Sequence, residues 1–220
     1  MLLIINDVLG PDDVAKAADR INALRFIDGT LTAGWHAKLV KNNQQIDRNQ
    51  PDYAPLNKAV TDAIMRHGLF RMAARPRHVT PLLFSRYRDG MEYGTHVDDP
   101  IMYNLRSDIS FTLFLADPSS YEGGELIMET TGGEQAFKPK AGNMIIYPST
   151  TLHRVTPVTK GERIAAVGWC QSYVREADKR EILYDLDVAR RGIFDKEKKS
   201  REFDTLSRCH SNLMRMWADG

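Results

Sequence analysis

Hydrophobic residues recur at two different spacings along the chain and divide it into three zones. In residues 1–77 they follow the spacing of three to four residues that is typical of helices packed against a core. One predicted helix begins at Pro11 and a second follows Pro55. The predicted buried positions are Val14, Ala17, Ile21 and Leu24 in the first helix, and Leu56, Val60 and Ile64 in the second. The polar stretch 41–45 between them is predicted to be an exposed loop.

The middle zone, residues 78–174, changes to short segments typical of strands. Glycine pairs such as Gly123-Gly124 and Gly132-Gly133 separate these segments, at turns that need a positive φ. The predicted strands are 81–87, 108–115, 125–128, 135–138, 144–147, 153–158 and 163–173. Many short strands at this spacing favour a sandwich or barrel. In the second strand, large apolar residues alternate with polar or small ones, which predicts that one face of the strand points inward.

The last zone, residues 175–220, is charged and again has helical spacing. The predicted apolar stripes are Ile182, Leu183, Leu186 and Ala189, followed by Phe203, Leu206, Leu213 and Trp217. The charged run 197–201 between them is interpreted as a solvated linker or helix start. Because apolar stripes are normally buried, we expect this tail to pack on the strands or on a second copy of the chain, as a homo-oligomer.

Composition narrows the classes of function. With 30 basic and 29 acidic side chains, the formal net charge of +1 leaves no broad basic field, so no nucleic-acid partner is expected. The longest apolar run is too short to span a bilayer, and the amino terminus lacks a basic leader, so neither a membrane anchor nor a signal peptide is expected. The cysteines, Cys170 and Cys209, make no disulfide framework, which favours a cytoplasmic location. Cys170 lies in an apolar strand pattern and is predicted to be a core residue.

Two histidines and one aspartate are the candidate metal ligands. His96 and Asp98 are two residues apart, so in an extended segment their side chains share one face, from which Asp99 points away. His153 lies downstream, after a predicted strand and turn. Two histidines and one carboxylate on one face of an octahedral ion form the ligand set of non-haem Fe(II), with three positions left open. The other histidines are interpreted as structural: His36, His67, His78 and His210.

Arg163 is the candidate anion-binding residue. It begins the apolar run 164–169, where a charged side chain needs a partner, and a bidentate carboxylate is such a partner. We expect the strands that carry His153 and Arg163 to lie side by side in one sheet. Lys160 is the alternative cation, but it is predicted to lie solvated in a hairpin turn. Tyr87 either packs in the core or adds a hydroxyl group to the same carboxylate.

The ordered motif residues resemble those of Fe(II)/2-oxoglutarate dioxygenases of the prolyl/lysyl hydroxylase group. They are Tyr87, Gly90, Tyr93, His96-Val-Asp98, Gly123-Gly-Glu125, Gly142-Asn143, Pro148, His153, Val155, Val158, Gly161 and Arg163. The chain length and the helical tail are similar to those of the bacterial PKHD-type hydroxylases. The resemblance implies an α+β fold: a double-stranded β-helix (jelly-roll) core with N-terminal helices and a C-terminal helical appendage. It also implies Fe(II) on His96, Asp98 and His153, 2-oxoglutarate held by Arg163, and L-ascorbate as a further cofactor.

The implied reaction hydroxylates a substrate while 2-oxoglutarate is converted to succinate and CO2. The substrate is left open between a protein side chain, a free amino acid and an iron-chelating metabolite. Collagen-type prolyl hydroxylases have lysine where this chain has Arg163, which argues against a collagen-like peptide. The loop 99–107 is expected to border the pocket, with Tyr103 and Arg106 as candidate substrate contacts.

Two other functions fit parts of the pattern. A non-catalytic, cupin-like jelly roll, acting as a sensor or binding protein, would keep the metal ligands but would not need Arg163 or Tyr87. A nucleic-acid demethylase would carry paired arginines well beyond the last histidine ligand, whereas no arginine follows Arg163 before Arg175. Measured decarboxylation of 2-oxoglutarate separates an enzyme from a binding protein.

Overall fold

The computed structural model describes residues 1–219 of the 220-residue chain. Helices lie near both ends of the described chain, and strands fill the middle. The helices are α1 (Pro11–Ala23), α2 (Tyr53–Arg66), α3 (Gly68–Ala74), α4 (Ala177–Glu197) and α5 (Arg201–Trp217). Pro11 occupies the first turn of α1, where its missing N–H has no helical partner to lose, and Asp12 and Asp13 favour the positive end of the helix.

The strands are short and mostly separated by tight turns. In chain order they are β1 (Leu3–Ile5), β2 (Phe26–Asp28), β3 (Lys41–Asn42), β4 (Gln44–Ile46), β5 (Pro76–Val79), β6 (Leu83–Tyr87), β7 (Glu92–His96), β8 (Ile101–Met102), β9 (Leu105–Arg106), β10 (Ile109–Phe114), β11 (Tyr121–Gly123), β12 (Leu126–Thr130), β13 (Gly133–Phe137), β14 (Met144–Pro148), β15 (His153–Val155), β16 (Val158–Gly161) and β17 (Arg163–Ser172). The strands predicted between 81 and 173 are confirmed, except that segment 153–158 divides into β15 and the start of β16.

Two antiparallel sheets face each other as a jelly roll, which confirms the predicted fold class. The larger sheet has the order β1-β14-β10-β17-β6-β4-β2, with β5 paired to β17, and the smaller has the order β13-β12-β15-β7-β3. Two short pairs, β11-β16 and β8-β9, complete the strands. The large sheet is covered on its outer face by helices, and its inner face looks across a cavity at the small sheet.

Two apolar clusters hold these layers together. The first joins the helices to the outer face of the large sheet and includes the fully buried Ile21, Ile64, Phe70 and Phe111. The rings of Phe70 and Phe111 meet edge to face, with their centroids 5.9 Å apart. The second cluster lies between the sheets. Each such side chain stabilises the fold by about 1.5–3 kcal/mol on burial, so the layers are firmly joined.

The predicted inward face of β10 is confirmed, and the opposite face of the strand is buried as well. Phe111 points into the helical core, whereas Ser110 and Thr112 point toward the cavity between the sheets and are at most 3 % exposed. The alternation of large apolar with small polar residues was read correctly. The polar side faces a functional cavity instead of solvent.

The prediction that stretch 41–45 is an exposed loop was also wrong. The N-terminal 77 residues contain helices, and they also supply strands to both sheets. Lys41 on β3 pairs with Tyr93 of the small sheet, and Gln45 on β4 pairs with Ser85 of the large sheet. We call residues 41–46 the crossing segment, because they pass from one sheet to the other and close one side of the cavity.

The C-terminal helices pack on one another and on α3, as a helical appendage. Leu183 is fully buried, and Asp187, also buried, accepts from Arg190 at 2.6 Å and from Arg75 at 3.4 Å. Two members of the predicted stripe, Ile182 and Ala189, are exposed. The buried face of α4 consists instead of Arg180, Leu183 and Asp187. None of the helices within residues 1–219 is long and apolar enough to cross a membrane.

Candidate metal and co-substrate site

The three predicted metal ligands come together at one end of the cavity. His96 on β7 and His153 on β15 are direct partners across neighbouring antiparallel strands, which places their side chains on the same face. Asp98 follows β7 by two residues, with its carboxylate oxygens 3.9 Å and 4.0 Å from Nε2 of His96 and His153. The ligand atoms of all three residues lie within 4.8 Å of one another, and no other such group occurs in residues 1–219.

Backbone carbonyls orient both imidazoles. Nδ1 of His96 lies 2.9 Å from the Gly94 carbonyl oxygen, and Nδ1 of His153 lies 2.9 Å from that of Thr151. Since a carbonyl oxygen only accepts, each Nδ1 carries the proton, and Nε2 keeps its lone pair for an ion. Burial and the neighbouring His153 lower the pKa of His96 to about 4, so its imidazole is neutral at physiological pH. Neutral imidazole is the form that binds metal.

Two further side chains support this group. The Ser110 hydroxyl donates to Oδ2 of Asp98 at 2.5 Å, and the Tyr93 ring stacks on His96 with centroids 3.6 Å apart. The donor set of two imidazole nitrogens and one carboxylate oxygen, with room on the cavity side, fits Fe(II) with open positions. Asp99 also lines the cavity, which contradicts the expectation that it points away, but it lies outside the metal group.

Arg163 faces the metal group from the other sheet. The expectation that its strand lies beside that of His153 was wrong, because β16 between them leaves to pair with β11, and β17 belongs to the large sheet. Both residues line the same cavity of about 710 Å³, open mouth included. The arginine is only 1 % exposed, and its Nε has no hydrogen-bond partner among the described residues.

A buried guanidinium without a carboxylate is costly, and it fits an anionic ligand that enters the cavity. Its neighbours are the aromatic rings of Tyr87 and Phe114, with centroids 5.1 Å and 5.3 Å from Cζ. Tyr87 is the direct cross-strand partner of Arg163. Burial raises the pKa of the Tyr87 hydroxyl despite the opposing arginine charge, so this hydroxyl stays protonated and able to donate. The terminal carboxylate of 2-oxoglutarate fits this pair.

The alternative site residues are placed elsewhere. Lys160 is solvated as predicted, on β16 instead of in a hairpin turn, and it pairs with Glu122 at 3.1 Å. Arg106 forms salt bridges with Asp108 at 2.7 Å and with Asp219 at 3.0 Å. Because Asp219 belongs to the C-terminal tail, these salt bridges connect the tail to the core. The Tyr103 ring lies under the Arg48 guanidinium, 4.8 Å from its centroid. Neither of the two proposed substrate contacts lines the cavity.

The crossing segment supplies cavity residues that the sequence analysis missed. Lys41, Asn43 and Gln45 all line the cavity and are at most 7 % exposed. Their period of two was visible in the sequence as a signal of an extended segment. The period alone does not predict burial, because all three residues are polar and a buried strand face is expected to be apolar.

Comparisons with known proteins agree with this geometry. Residues 82–171 match the 2OG-Fe(II) oxygenase superfamily, and residues 178–219 match the PKHD-type hydroxylase C-terminal domain. A PKHD-type hydroxylase of Picosynechococcus sp. is 51 % identical, with 100 % of each chain covered.

Two solved structures share the fold. A Pseudomonas putida prolyl-4-hydroxylase has a TM-score of 0.54 and 24 % identity, covering 78 % of this chain and 92 % of its own. A Trichoplax adhaerens prolyl hydroxylase, solved with a hypoxia inducible factor peptide fragment, has a TM-score of 0.57 and 15 % identity, covering 83 % and 86 %. With half of its residues shared over its full length with a curated relative, the chain belongs to the PKHD-type hydroxylases, a family of 2-oxoglutarate- and Fe(II)-dependent oxygenases.

Proposed function

We propose that the cavity between the sheets is the active site of this hydroxylase, with Fe(II) on His96, Asp98 and His153 and 2-oxoglutarate anchored by Arg163. One observation carries the proposal: a three-ligand metal group faces, across one cavity, a buried guanidinium that makes no salt bridge with the described residues. A cupin-like binding protein would need the metal group alone. The buried arginine therefore favours the enzyme.

When bound, Fe(II) supplies the oxidation of 2-oxoglutarate and of a substrate C–H bond by O2, with release of succinate and CO2. The protein residues bind and orient. Arg163 receives the distal carboxylate and fixes the position of the co-substrate before reaction, and Tyr87 adds a hydroxyl donor. Apolar side chains such as Leu126 and Val155 line the cavity and limit the entry of water.

We further propose a substrate class, a cofactor and a cellular location. The substrate is a protein side chain or a small metabolite, and L-ascorbate is proposed as a further cofactor. We place the protein in the cytoplasm, since Cys170 and Cys209 are both free thiols. The near-zero net charge favours a substrate other than nucleic acid. Succinate formation measured with and without ascorbate tests the cofactor.

The decisive experiment combines Fe(II) binding with 2-oxoglutarate turnover. His96→Ala, Asp98→Ala and His153→Ala are each expected to lose Fe(II) binding and succinate production while keeping a cooperative unfolding transition, because the sheets have their own apolar core. His78→Ala, at an exposed position on β5, is the matched control. Full turnover in all three ligand variants would show that the ligands are wrongly assigned. Metal binding by the wild type without any turnover would favour the binding protein.

A further inference from the structure

The crossing segment brings a buried cation to the metal end of the cavity. Lys41 is 7 % exposed, and its Nζ lies 5.1 Å from the centroid of the Tyr93 ring, which itself stacks on His96. In the small sheet, the strand of His96 lies between the strand of His153 on one side and the strand of Lys41 on the other. Lys41 therefore occupies the edge of the metal site, on the side of the crossing segment.

The described residues offer the Lys41 ammonium group few hydrogen-bond acceptors and no salt bridge. It donates to the Thr32 hydroxyl at 3.1 Å and makes no salt bridge with the part of the chain that the structure describes. Thr32 in turn donates to Oε1 of Gln45 at 2.5 Å, so the lysine is held in place by a buried polar side chain from the opposite sheet. An ammonium has three N–H donors, and a desolvated one needs a negative partner.

Two acidic side chains raise the pKa of Lys41 against the effect of burial. Asp98 has the larger effect and Asp28 the smaller. Once Asp98 ligates Fe(II), its charge is shared with a dication, and it no longer compensates the lysine. The two carboxylates of 2-oxoglutarate already have partners in the metal and Arg163. Lys41 then remains a buried cation at the metal end of the cavity, and it makes no salt bridge with any described carboxylate.

We infer that Lys41, positioned by Thr32 and Gln45, is the binding site for a carboxylate or similar anionic group of the substrate that is hydroxylated. This inference rests on the proposed function and adds a substrate class to it. The anion would be bound on the edge side of His96, where Ala33, Gly34 and Ala37 form the adjoining wall of the cavity. A substrate with an acidic group close to the oxidised carbon meets these demands.

The test uses acetate as the probe and Mn(II) as a paramagnetic replacement for Fe(II), with saturating 2-oxoglutarate. The relaxation of the acetate methyl protons reports their approach to the metal. In the wild type we expect the methyl protons of acetate to show strongly enhanced relaxation. The methyl protons of acetamide, its neutral isostere, should show none. Lys41→Met should lower the acetate affinity about tenfold, which matches the loss of a hydrogen bond to a charged group. Lys41→Arg should retain most of it.

Controls separate the possible failures. Lys38→Met, which removes an exposed lysine of the neighbouring segment, should bind acetate like the wild type. Equal acetate enhancement in wild type and Lys41→Met would overturn the proposal, as would equal enhancement by acetamide. Acetate binding that disappears when 2-oxoglutarate is added would assign Lys41 to the co-substrate instead. Absence of Mn(II) or 2-oxoglutarate binding in the wild type would remove the proposed function itself. If Lys41→Met does not fold, Lys41→Gln gives the same comparison.

Discussion

Ser110 and Asp98 connect the two sheets directly at the metal site. Ser110 lies on β10 of the large sheet, and its hydroxyl donates to Oδ2 of Asp98 at 2.5 Å. Asp98 follows β7 and lies outside the ladder of the small sheet, and within residues 1–219 the Ser110 hydroxyl is the hydrogen-bond donor to its carboxylate. The serine therefore sets the direction in which the carboxylate faces the histidines.

Removal of the hydrogen bond between Ser110 and Asp98 should lower the affinity for Fe(II) without abolishing Fe(II) binding. Ser110→Ala is expected to lower the affinity for Fe(II) about tenfold, because a hydrogen-bonding partner that orients a ligand typically contributes 10- to 100-fold. Anaerobic competition with a chelator measures the change. Ser119→Ala is the control, because in this exposed turn the Ser119 hydroxyl donates to Oδ1 of Asp117. An unchanged affinity in Ser110→Ala would mean that the chain around Asp98 positions it unaided.

Arg163→Ala should raise the KM for 2-oxoglutarate strongly and leave Fe(II) affinity nearly unchanged. The loss of a buried, charge-assisted pair costs about 2–5 kcal/mol, which corresponds to about 30-fold or more in affinity. Arg163→Lys should recover part of this, as a point charge without the bidentate fork. Steady-state kinetics measure the effect, with Lys160→Ala as the solvated control. A KM equal to that of the wild type in Arg163→Ala would move the anchor to another residue.

Lys41 should destabilise the metal-free fold at neutral pH. Burial lowers the pKa of its ammonium from 10.5 to about 8, against the opposing charges of Asp98 and Asp28. Between about pH 8 and 10.5 the unfolded chain binds a proton that the folded chain does not, so stability rises with pH in this window. Below about pH 8 both states are protonated, and the whole penalty of burying the charge is present.

Lys41→Met is therefore expected to be more stable than the wild type at pH 7, by about 2–3 kcal/mol in the free energy of unfolding. The difference should shrink as the pH rises toward about 10.5. Urea unfolding of the metal-free proteins at several pH values measures both quantities, with Lys38→Met as the exposed control. A constant difference across this range would show that the lysine keeps its normal proton affinity in the fold.

Deletion of the tail after Val174 should lower the melting temperature markedly. It removes the fully buried Leu183 and leaves Arg75 of the core without Asp187, its buried partner at 3.4 Å. Loss of a buried ionic partner alone typically costs 3–5 kcal/mol. Thermal melting tests the packing, and light scattering tests the further prediction of a homo-oligomer. An unchanged melting temperature together with an unchanged oligomeric state would show that the tail packs on nothing.

Much of the site was predictable because its chemistry leaves strong signals in the sequence. His96 and Asp98 share a spacing of two, and Arg163 is a charge at the head of an apolar strand. The spacing of His96 and Asp98 allows both side chains to reach one ion, and a buried arginine needs an anionic partner. The strand pattern from Ile109 onward likewise predicted the inward face of β10 that packs against the helices.

The rest depended on how the chain crosses between sheets, which local patterns do not record. His153 and Arg163 are only ten residues apart, yet β16 carries the chain from one sheet to the other, so the two face each other instead of lying side by side. The polar crossing segment was read as exposed for a related reason. Burial was inferred from apolar character, whereas a cavity wall made for a polar ligand is buried and polar.

On the proposed assignment, the crossing segment binds the substrate, whereas other residues bind the metal and the co-substrate. The metal ligands and Arg163 stand on or next to strands in the interior of the two sheets, where each neighbour restricts what can replace them. Lys41 lies on β3 at the edge of the small sheet, and Gln45 lies on β4, one strand from the edge of the large sheet. If Lys41 binds the substrate as proposed, replacements in the crossing segment should change which molecule is bound while His96, Asp98, His153 and Arg163 stay in place. A change of substrate would then require little change of structure.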